Sequence, residues 1–103
     1  MSAQVEFEGL IEYLHTNYDG VVGQMFGKKC IKVNGKAAVA LFKDSLVFKL
    51  PEGTHGQAMA LSGSILWDPS GKGRPMKEWV QIPFDYHLRW KEFAIESLAY
   101  MKS

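Results

Sequence analysis

A glycine-rich segment, residues 70–77, is the part of this sequence best suited to bind a ligand. It reads SGKGRPMK, so its glycines let backbone N–H groups approach an anion, and Lys72, Arg74 and Lys77 add positive charge. The segment is not a P-loop, because the GxxxxGK[ST] spacing is absent and the following EWVQI predicts a strand. Two interpretations stay open: a hairpin loop shaped by glycine and proline, or a site that contacts an anion or a partner.

No set of residues in the sequence predicts a catalytic, metal or cofactor site. His15, His55 and His87 fall in three different predicted elements, without the spacing of metal ligands. Cys30 lies inside a predicted strand, on the face assigned to the core, where a thiol behaves as a small hydrophobic group. A reactive cysteine instead needs an electropositive and partly exposed setting. We therefore expect a protein that is not an enzyme and that uses no metal or cofactor.

Length and composition narrow the class of protein further. A chain of 103 residues that is 47% hydrophobic and 13% aromatic is typical of one folded domain rather than of a disordered segment. The net charge of +1 gives no overall attraction to nucleic acid, so any such binding must be local. The single cysteine excludes an internal disulfide and favours a reducing, cytoplasmic compartment. We expect neither a secretory signal nor a membrane span.

The elements that would position these residues are organised around a predicted meander, residues 29–50. Asn34–Gly35 is the strongest hairpin signal, because both central turn positions require positive φ, and a two-residue turn there pairs Ile31 with Ala38. Lys43–Asp44 predicts a second two-residue turn. The segment is therefore predicted to form three antiparallel strands.

This pairing divides the meander into two apolar faces. The face assigned to the helix-covered core carries Cys30, Ala37, Val39, Leu41, Leu46, Phe48 and Leu50. The other face is the candidate dimer face and carries Ile31, Val33, Ala38, Ala40, Phe42 and Val47. Because an uncovered apolar patch marks a partner site, we expect a homodimer through this second face, unless the third helix covers it.

Helical periodicity predicts a first helix after Ser2 and a last helix after Asp85, and capping-box spacing at Thr54 predicts a short helix between them. Outside the meander, strands are predicted for residues 64–67 and 78–82, whereas residues 21–26 are predicted only as extended chain. The resulting order, α-β-β-β-α-β-β-α, predicts an α+β fold with two layers. We expect a largely antiparallel five-stranded sheet with helices packed on one face.

Four segments of the sequence, taken together and in order, form a specific set. They are the triplet MFG at 25–27, IKVNGKAAVALF, LVFKLP and DPSGKGRPMKEWVQI. From about Met25 to Ile82 the chain resembles the TfoX N-terminal domain family, and it is more faintly similar to the YjbR family. The resemblance implies a bacterial, cytoplasmic protein with a secretion-chaperone-like α+β fold, outside the known enzyme classes.

The resemblance also implies a stand-alone TfoX N-terminal-like domain over residues 1–103 with a regulatory role. Longer members regulate natural competence and carry a helical C-terminal domain. They commonly have an arginine where this chain has Gly23–Gln24, so a competence role is not transferred. The leading expectation is therefore a non-enzymatic interaction or regulatory domain that acts as a homodimer or with another regulatory protein, and not with a membrane.

The alternative expectation is a small-anion or nucleic-acid-binding module that uses residues 70–77. Nucleic acid would also contact further basic residues, with Trp67 or Trp79 available for stacking. Those basic residues are Lys28, Lys29, Lys32 and Lys43.

Overall fold

The computed structural model describes residues 2–103 and shows one antiparallel sheet with helices packed on one side. The helices are α1 (Ala3–Tyr18), α2 (Glu52–Met59) and α3 (Trp90–Lys102), and a 3-10 helix (Phe84–Arg89) leads into α3. The strands are β1 (Val21–Met25), β2 (Lys28–Val33), β3 (Lys36–Phe42), β4 (Ser45–Lys49), β5 (Ile65–Trp67) and β6 (Met76–Pro83). They lie in the order β1-β2-β3-β4-β6-β5.

The α+β class and the antiparallel sheet are as predicted, but the strand count is not. The described chain has six strands rather than five, because the segment predicted only as extended, residues 21–26, pairs with β2 as β1. A two-residue turn with positive φ at Phe26 and Gly27 joins these two strands. Among residues 2–103, none of the helices is long and apolar enough to cross a membrane.

The helix ends agree with the sequence in one case and differ in two. Ser2 caps α1, since its hydroxyl accepts a hydrogen bond from the backbone N–H of Val5 at 3.3 Å. The short helix α2 begins after Pro51 rather than at Thr54, because proline already has the φ that suits a helix start. Asp85 makes no cap either, since the chain first forms the 3-10 helix and α3 begins only at Trp90.

The meander has both predicted turns, and one of its two registers contains a bulge. Across the second turn, Leu41 faces Leu46 as the two-residue turn requires. Across the first turn, Lys32 faces Ala37 while Ile31 faces Val39. Ala38 is therefore an extra residue in β3, and the predicted pairing of Ile31 with Ala38 is wrong.

A serine on α3 explains why the bulge lies at this position. Ser97 is fully buried, and its Oγ lies 2.7 Å from the carbonyl oxygen of Ala38 and 2.7 Å from that of Lys49. A bulged residue leaves the regular strand ladder, so its carbonyl needs another donor. The Ser97 hydroxyl provides one and connects α3 to both β3 and β4.

The bulge changes which residues share a face. Half of the candidate dimer face lies in the helix-covered core, namely Ile31, Val33 and Ala38. The prediction that these three residues form part of a dimer face is therefore wrong. The other half lies on the opposite side of the sheet, which we call the open face: Ala40, Phe42 and Val47. Cys30 and Ala37, predicted for the helix-covered face, also lie on the open face. Because Ala38 is an extra residue in β3, the alternation of side chains between the two faces is reversed beyond the bulge. This reversal explains why these residues lie on the face opposite to the predicted one.

The helix-covered core is built from the apolar faces of α1 and α3. Phe7 and Leu14 of α1 are fully buried, and Phe93 of α3 packs on Phe48 of β4 with ring centroids 6.1 Å apart. Each such side chain contributes roughly 1.5–3 kcal/mol when fully buried. These contacts hold the helices on one side of the sheet. No helix covers the open face within the described residues, so only side chains of the strands and loops can bury it.

Candidate functional site

The open face is covered by two tryptophans of the same chain. Trp67 is fully buried, and its ring centroid lies 5.2 Å from that of Trp79 and 5.8 Å from that of Phe42. Ala40 and Val47 beneath them are fully buried as well. The open face is therefore a second small core rather than an uncovered apolar patch, and the reason for expecting a dimer through it no longer holds.

Trp67 also shows that the sheet is strongly curved. Its ring centroid lies 6.3 Å from that of Phe26, although Phe26 is in the β1–β2 turn and Trp67 is in the strand at the opposite edge. In a flat sheet, strands spaced about 4.8 Å apart would place the two edge strands about 24 Å from each other. The open face is thus concave, and the two tryptophans fill it. Neither indole is exposed for stacking on a nucleic-acid base.

The glycine-rich loop holds a carboxylate of its own. Asp68 Oδ1 accepts hydrogen bonds from the backbone N–H groups of Ser70 (3.1 Å) and Gly71 (3.0 Å), and Oδ2 accepts from those of Gly73 (2.8 Å) and Arg74 (3.1 Å). The Ser70 hydroxyl also donates to Oδ1 at 2.7 Å. The N–H groups that were expected to approach an anion are thus already bonded to Asp68.

These hydrogen bonds change the acidity of the carboxylate. The Ser70 hydroxyl, followed by the backbone N–H groups of Gly73, Arg74 and Gly71, lowers the pKa of Asp68, and partial desolvation opposes the shift. Asp68 is therefore the anion that organises the loop. The loop can contact a further anion only through its side chains.

The basic side chains of the loop lie outside this network. Lys72, Arg74 and Lys77 are exposed, and none forms an ion pair with another residue in the range 2–103. The backbone carbonyl of Lys77 lies 2.8 Å from His55 Nε2, which fixes the end of the loop against α2. The three cations are thus presented to solvent by a loop of defined shape.

A groove between this loop and the β3–β4 turn contains a second basic group. It has a volume of about 540 Å³ and is lined by Lys28, Phe42 and Lys43 on one side and by the loop on the other. The ammonium groups of Lys28 and Lys43 lie 5.4 Å and 5.2 Å from the centroid of the Phe42 ring. Both distances are within the range of a cation–π contact. Two cations are therefore held beside one partly exposed aromatic ring.

Sequence reasoning named Lys28 and Lys43 as basic residues but did not group them with Phe42. The two lysines are 15 positions apart, and only the alignment of β2 with β3 and β4 brings them together. Phe42 directly precedes Lys43 at the turn, which was the one local signal available.

Charge is separated between the two layers of the molecule. We define the strand layer as residues 20–50 and 62–83, and the helix layer as residues 2–19, 51–61 and 84–103. The strand layer contains nine of the twelve lysines and arginines but three of the eleven acidic residues, whereas the helix layer contains three and eight. Their formal charges are thus +6 and −5, and the net charge of +1 conceals this separation.

Ion pairs follow the same division. The three ion pairs among the described residues are Lys29–Glu8, Arg89–Glu92 and Lys102–Asp19, and each uses a carboxylate of the helix layer. In the strand layer, only the ammonium of Lys29 reaches one of these carboxylates. The remaining cations of the strand layer have no acidic partner within residues 2–103.

The remaining residues considered for chemistry do not converge. Cys30 is buried on the open face, and this burial raises the pKa of its thiol, although nearby Lys32 opposes the shift. His15 lies against the backbone of Gly20. His87 stacks on Phe84 with ring centroids 4.4 Å apart. Within residues 2–103, no group of three histidine, cysteine or acidic residues could hold a metal ion.

Comparison of the chain with protein-family models, with curated proteins and with solved structures found no match.

Proposed function

We propose that this chain is a non-catalytic binding domain that takes single-stranded nucleic acid on the strand layer, with Lys28, Phe42 and Lys43 at the centre of the contact. The observation that carries the proposal is the charge separation, +6 against −5, between the two layers. Lysines without acidic partners attract phosphates, and releasing the counterions of a polyanion favours binding.

An extended polyanion fits the molecule better than a single small anion does. The unpaired cations are spread from the groove to the glycine-rich loop, where Lys72, Arg74 and Lys77 are exposed. The partly exposed ring of Phe42 offers a surface on which a base can stack between phosphate contacts. The backbone of the loop offers no free N–H groups for a small anion, because those of Gly71, Gly73 and Arg74 donate to Asp68.

The test is fluorescence anisotropy with a labelled single-stranded oligonucleotide at low and moderate salt. We expect a dissociation constant of about 10⁻⁴ to 10⁻⁶ M that weakens as salt increases. Replacing Lys28 and Lys43 with alanine should reduce the slope of log affinity against log salt by about 1.4, since each phosphate contact contributes about 0.7 for single strands.

Lys29→Ala is the matched control. Lys29 is adjacent to Lys28 in β2, but its ammonium is bound to Glu8 at 2.6 Å, so its removal should change affinity little. Replacing Lys72, Arg74 and Lys77 together with alanine measures how much the glycine-rich loop contributes to oligonucleotide affinity. Absence of binding by the unmutated protein at low salt would reject the proposal, as would equal losses for Lys29→Ala and for Lys28→Ala.

The wider role that we propose is that of a regulatory domain of a bacterial cytoplasm, with the secretion-chaperone-like arrangement of the TfoX N-terminal domain family. The support is the ordered set of segments between Met25 and Ile82. The raised pKa of the buried Cys30 thiol supports a role without nucleophilic catalysis, because the thiolate is the reactive form. The single cysteine also suits a reducing compartment.

A homodimer is the second candidate, through surfaces other than the open face. Its support is a set of exposed apolar side chains that the core does not use. On the helix layer, Val5 and Leu88 are 61% and 87% exposed beside a groove of about 300 Å³. At the edge of the sheet, Val21, Val22 and Phe26 are also exposed. Sedimentation equilibrium tests the dimer, and a monomer of 11.6 kDa at high micromolar concentration would contradict it.

A further inference from the structure

β1 leaves one edge of the sheet without a partner. It is first in the strand order and pairs only with β2. Its sequence up to the turn, VVGQMF, contains no charge and no proline, and Val21, Val22 and Phe26 are 56%, 48% and 63% exposed. Folded proteins usually protect such an edge with charges, proline, a bulge or a very short strand. β5, at the opposite edge, has only three residues and an irregular register, whereas β1 has none of these protections.

The hydrogen-bonding groups of this edge follow from the β1–β2 turn. Met25 and Lys28 flank a two-residue turn, so they form a hydrogen-bonded pair, and the direction of the backbone groups alternates from there along the strand. Gly23 therefore bonds to β2, as Met25 does. The N–H and C=O groups of Val22 and Gln24 point away from the sheet, where no strand meets them.

We propose that β1 pairs with β1 of a second copy of this chain, in antiparallel register around a two-fold axis at Gly23. This inference rests on the homodimer proposed above and names its interface. The register places Val22 opposite Gln24 of the second copy, so both residues with free backbone groups on each chain are used. Val21 then lies opposite Met25 on the open face, and apolar side chains meet there.

A second copy suits this edge because the strand complements itself. In a two-fold antiparallel pair, each strand runs beside the same sequence in the opposite direction, so the strand must not repel itself. β1 contains no charged residue that would repel its copy. Gly23 at the axis presents no side chain. The aliphatic part of the Lys32 side chain occupies the space beside Gly23, since a Cβ added to Gly23 would lie 3.0 Å from Lys32 Cδ. Two copies of Lys32 would therefore approach the axis, and we expect salt or a bound polyanion to strengthen the dimer by screening them.

Phe26 gives an independent reason to expect a contact at this edge. It occupies the first position of its turn with φ of 54°, a conformation that disfavours bulky side chains and that Asn34 adopts at the same position of the next turn. Its ring is nevertheless 63% exposed. The ring contacts Trp67 on the open face, which is the face on which Val21 and Met25 of the two copies meet in the proposed register.

Amide hydrogen exchange measured by NMR at about 20 µM and about 1 mM tests the interface, since a single short strand pair gives weak association. The amides of Val22 and Gln24 should exchange at least about 10-fold more slowly at the higher concentration. Those of Val21, Gly23 and Met25 should change little, because they already bond to β2. Uniform protection along β1, or none, would overturn the inference.

Single-residue variants distinguish a dimer that forms through β1 from a dimer that forms through another surface. Val22→Lys and Gln24→Lys place a charge on the edge and should weaken association at least about 10-fold, as measured by sedimentation equilibrium. Val5→Lys is the matched control, because Val5 is also exposed (61%, against 48% for Val22) but lies on the helix layer. A dimer lost in Val5→Lys and kept in both edge variants would overturn this interface alone. A monomer at every concentration would overturn the interface and the homodimer together.

Discussion

The helix layer and the strand layer use their charged residues and their aromatic residues differently. In the helix layer, acidic residues predominate, three of them form the ion pairs of the described chain, and Phe93 and Trp90 are buried against the sheet. In the strand layer, basic residues predominate and mostly lack partners, while Trp67 and Trp79 fill a concave face. The comparison indicates that both layers bury aromatic residues that stabilise the fold, whereas the basic residues without acidic partners lie mostly in the strand layer. Net charge alone misses this difference.

The largest effect should come from removing the tryptophan that closes the open face. Trp67→Ala should lower the free energy of unfolding by about 3–5 kcal/mol, similar to a large truncation in the helix-covered core such as Phe93→Ala. Urea denaturation measures both. Ile65→Ala is the control, because Ile65 is in the same strand but is half exposed, and it should change stability little.

That result would show that each face of the sheet supports a core of its own. A loss below about 1 kcal/mol for Trp67→Ala, beside a large loss for Phe93→Ala, would mean that the open face adds little to stability.

A smaller loss should follow when the link between the layers is removed. In Ser97→Ala, the buried carbonyls of Ala38 and Lys49 lose the hydroxyl that lies 2.7 Å from each. An unsatisfied buried acceptor costs about 1–3 kcal/mol, so thermal or urea unfolding should show a loss of this size. Ser62→Ala, at an exposed position, is the control and should be neutral. Equal stability of the two variants would show that the bulge does not depend on α3.

The smallest effect should be confined to the glycine-rich loop. The pKa of Asp68 is below its ordinary value of 3.8, so the folded loop favours the carboxylate. Its contribution is therefore complete above that value and is lost as pH falls through the lower pKa of the folded state. We expect the protection factors of the amides of Gly71, Gly73 and Arg74, which are NMR exchange rates corrected for the slower intrinsic exchange in acid, to fall as Asp68 is protonated, without global unfolding. The same response in an Asp44→Ala variant and its absence in Asp68→Ala would confirm that Asp68 is the group that titrates.

Asp68→Ala also tests whether the loop could hold an external anion. The variant frees the N–H groups that bind the carboxylate, so inorganic phosphate should shift the amides of Gly71 and Gly73 in the variant but not in the unmutated protein. Equal shifts in both proteins would mean that Asp68 does not occupy the site and that the loop binds anions through its backbone after all.

Local signals in the sequence were enough for much of the fold. The cap at Ser2, the turns at Asn34–Gly35 and Lys43–Asp44, and the pairing of β3 with β4 depend on residues close together in the chain, and the structure contains all of them. The bulge at Ala38 could not be predicted in this way, because it depends on Ser97, which is 59 positions away. The exchange of Ile31 and Cys30 between the two faces follows from that one distant contact.

The candidate site was predictable to a smaller extent. Lys72, Arg74 and Lys77 are exposed in a loop, as their composition indicated, but the role of Asp68 within that loop was missed. Aspartate followed by proline and serine is a common turn signal, yet turn chemistry does not say that one carboxylate accepts hydrogen bonds from several loop residues. The groove at Phe42 and the charge separation between layers emerge only when the strands are aligned.

The hydroxyl of Ser97 has a consequence for how the chain acquires its structure during synthesis. The meander leaves the ribosome well before α3 does, since roughly 47 residues lie between Leu50 and Ser97, and translation at about 5–20 residues per second takes several seconds to add them. Until then the carbonyl of Ala38 can accept hydrogen bonds only from water, and the Ser97 contact that favours the bulge over the regular pairing of β2 with β3 is missing. We expect the nascent chain to sample that regular pairing first and to exchange its two faces when the final helix docks.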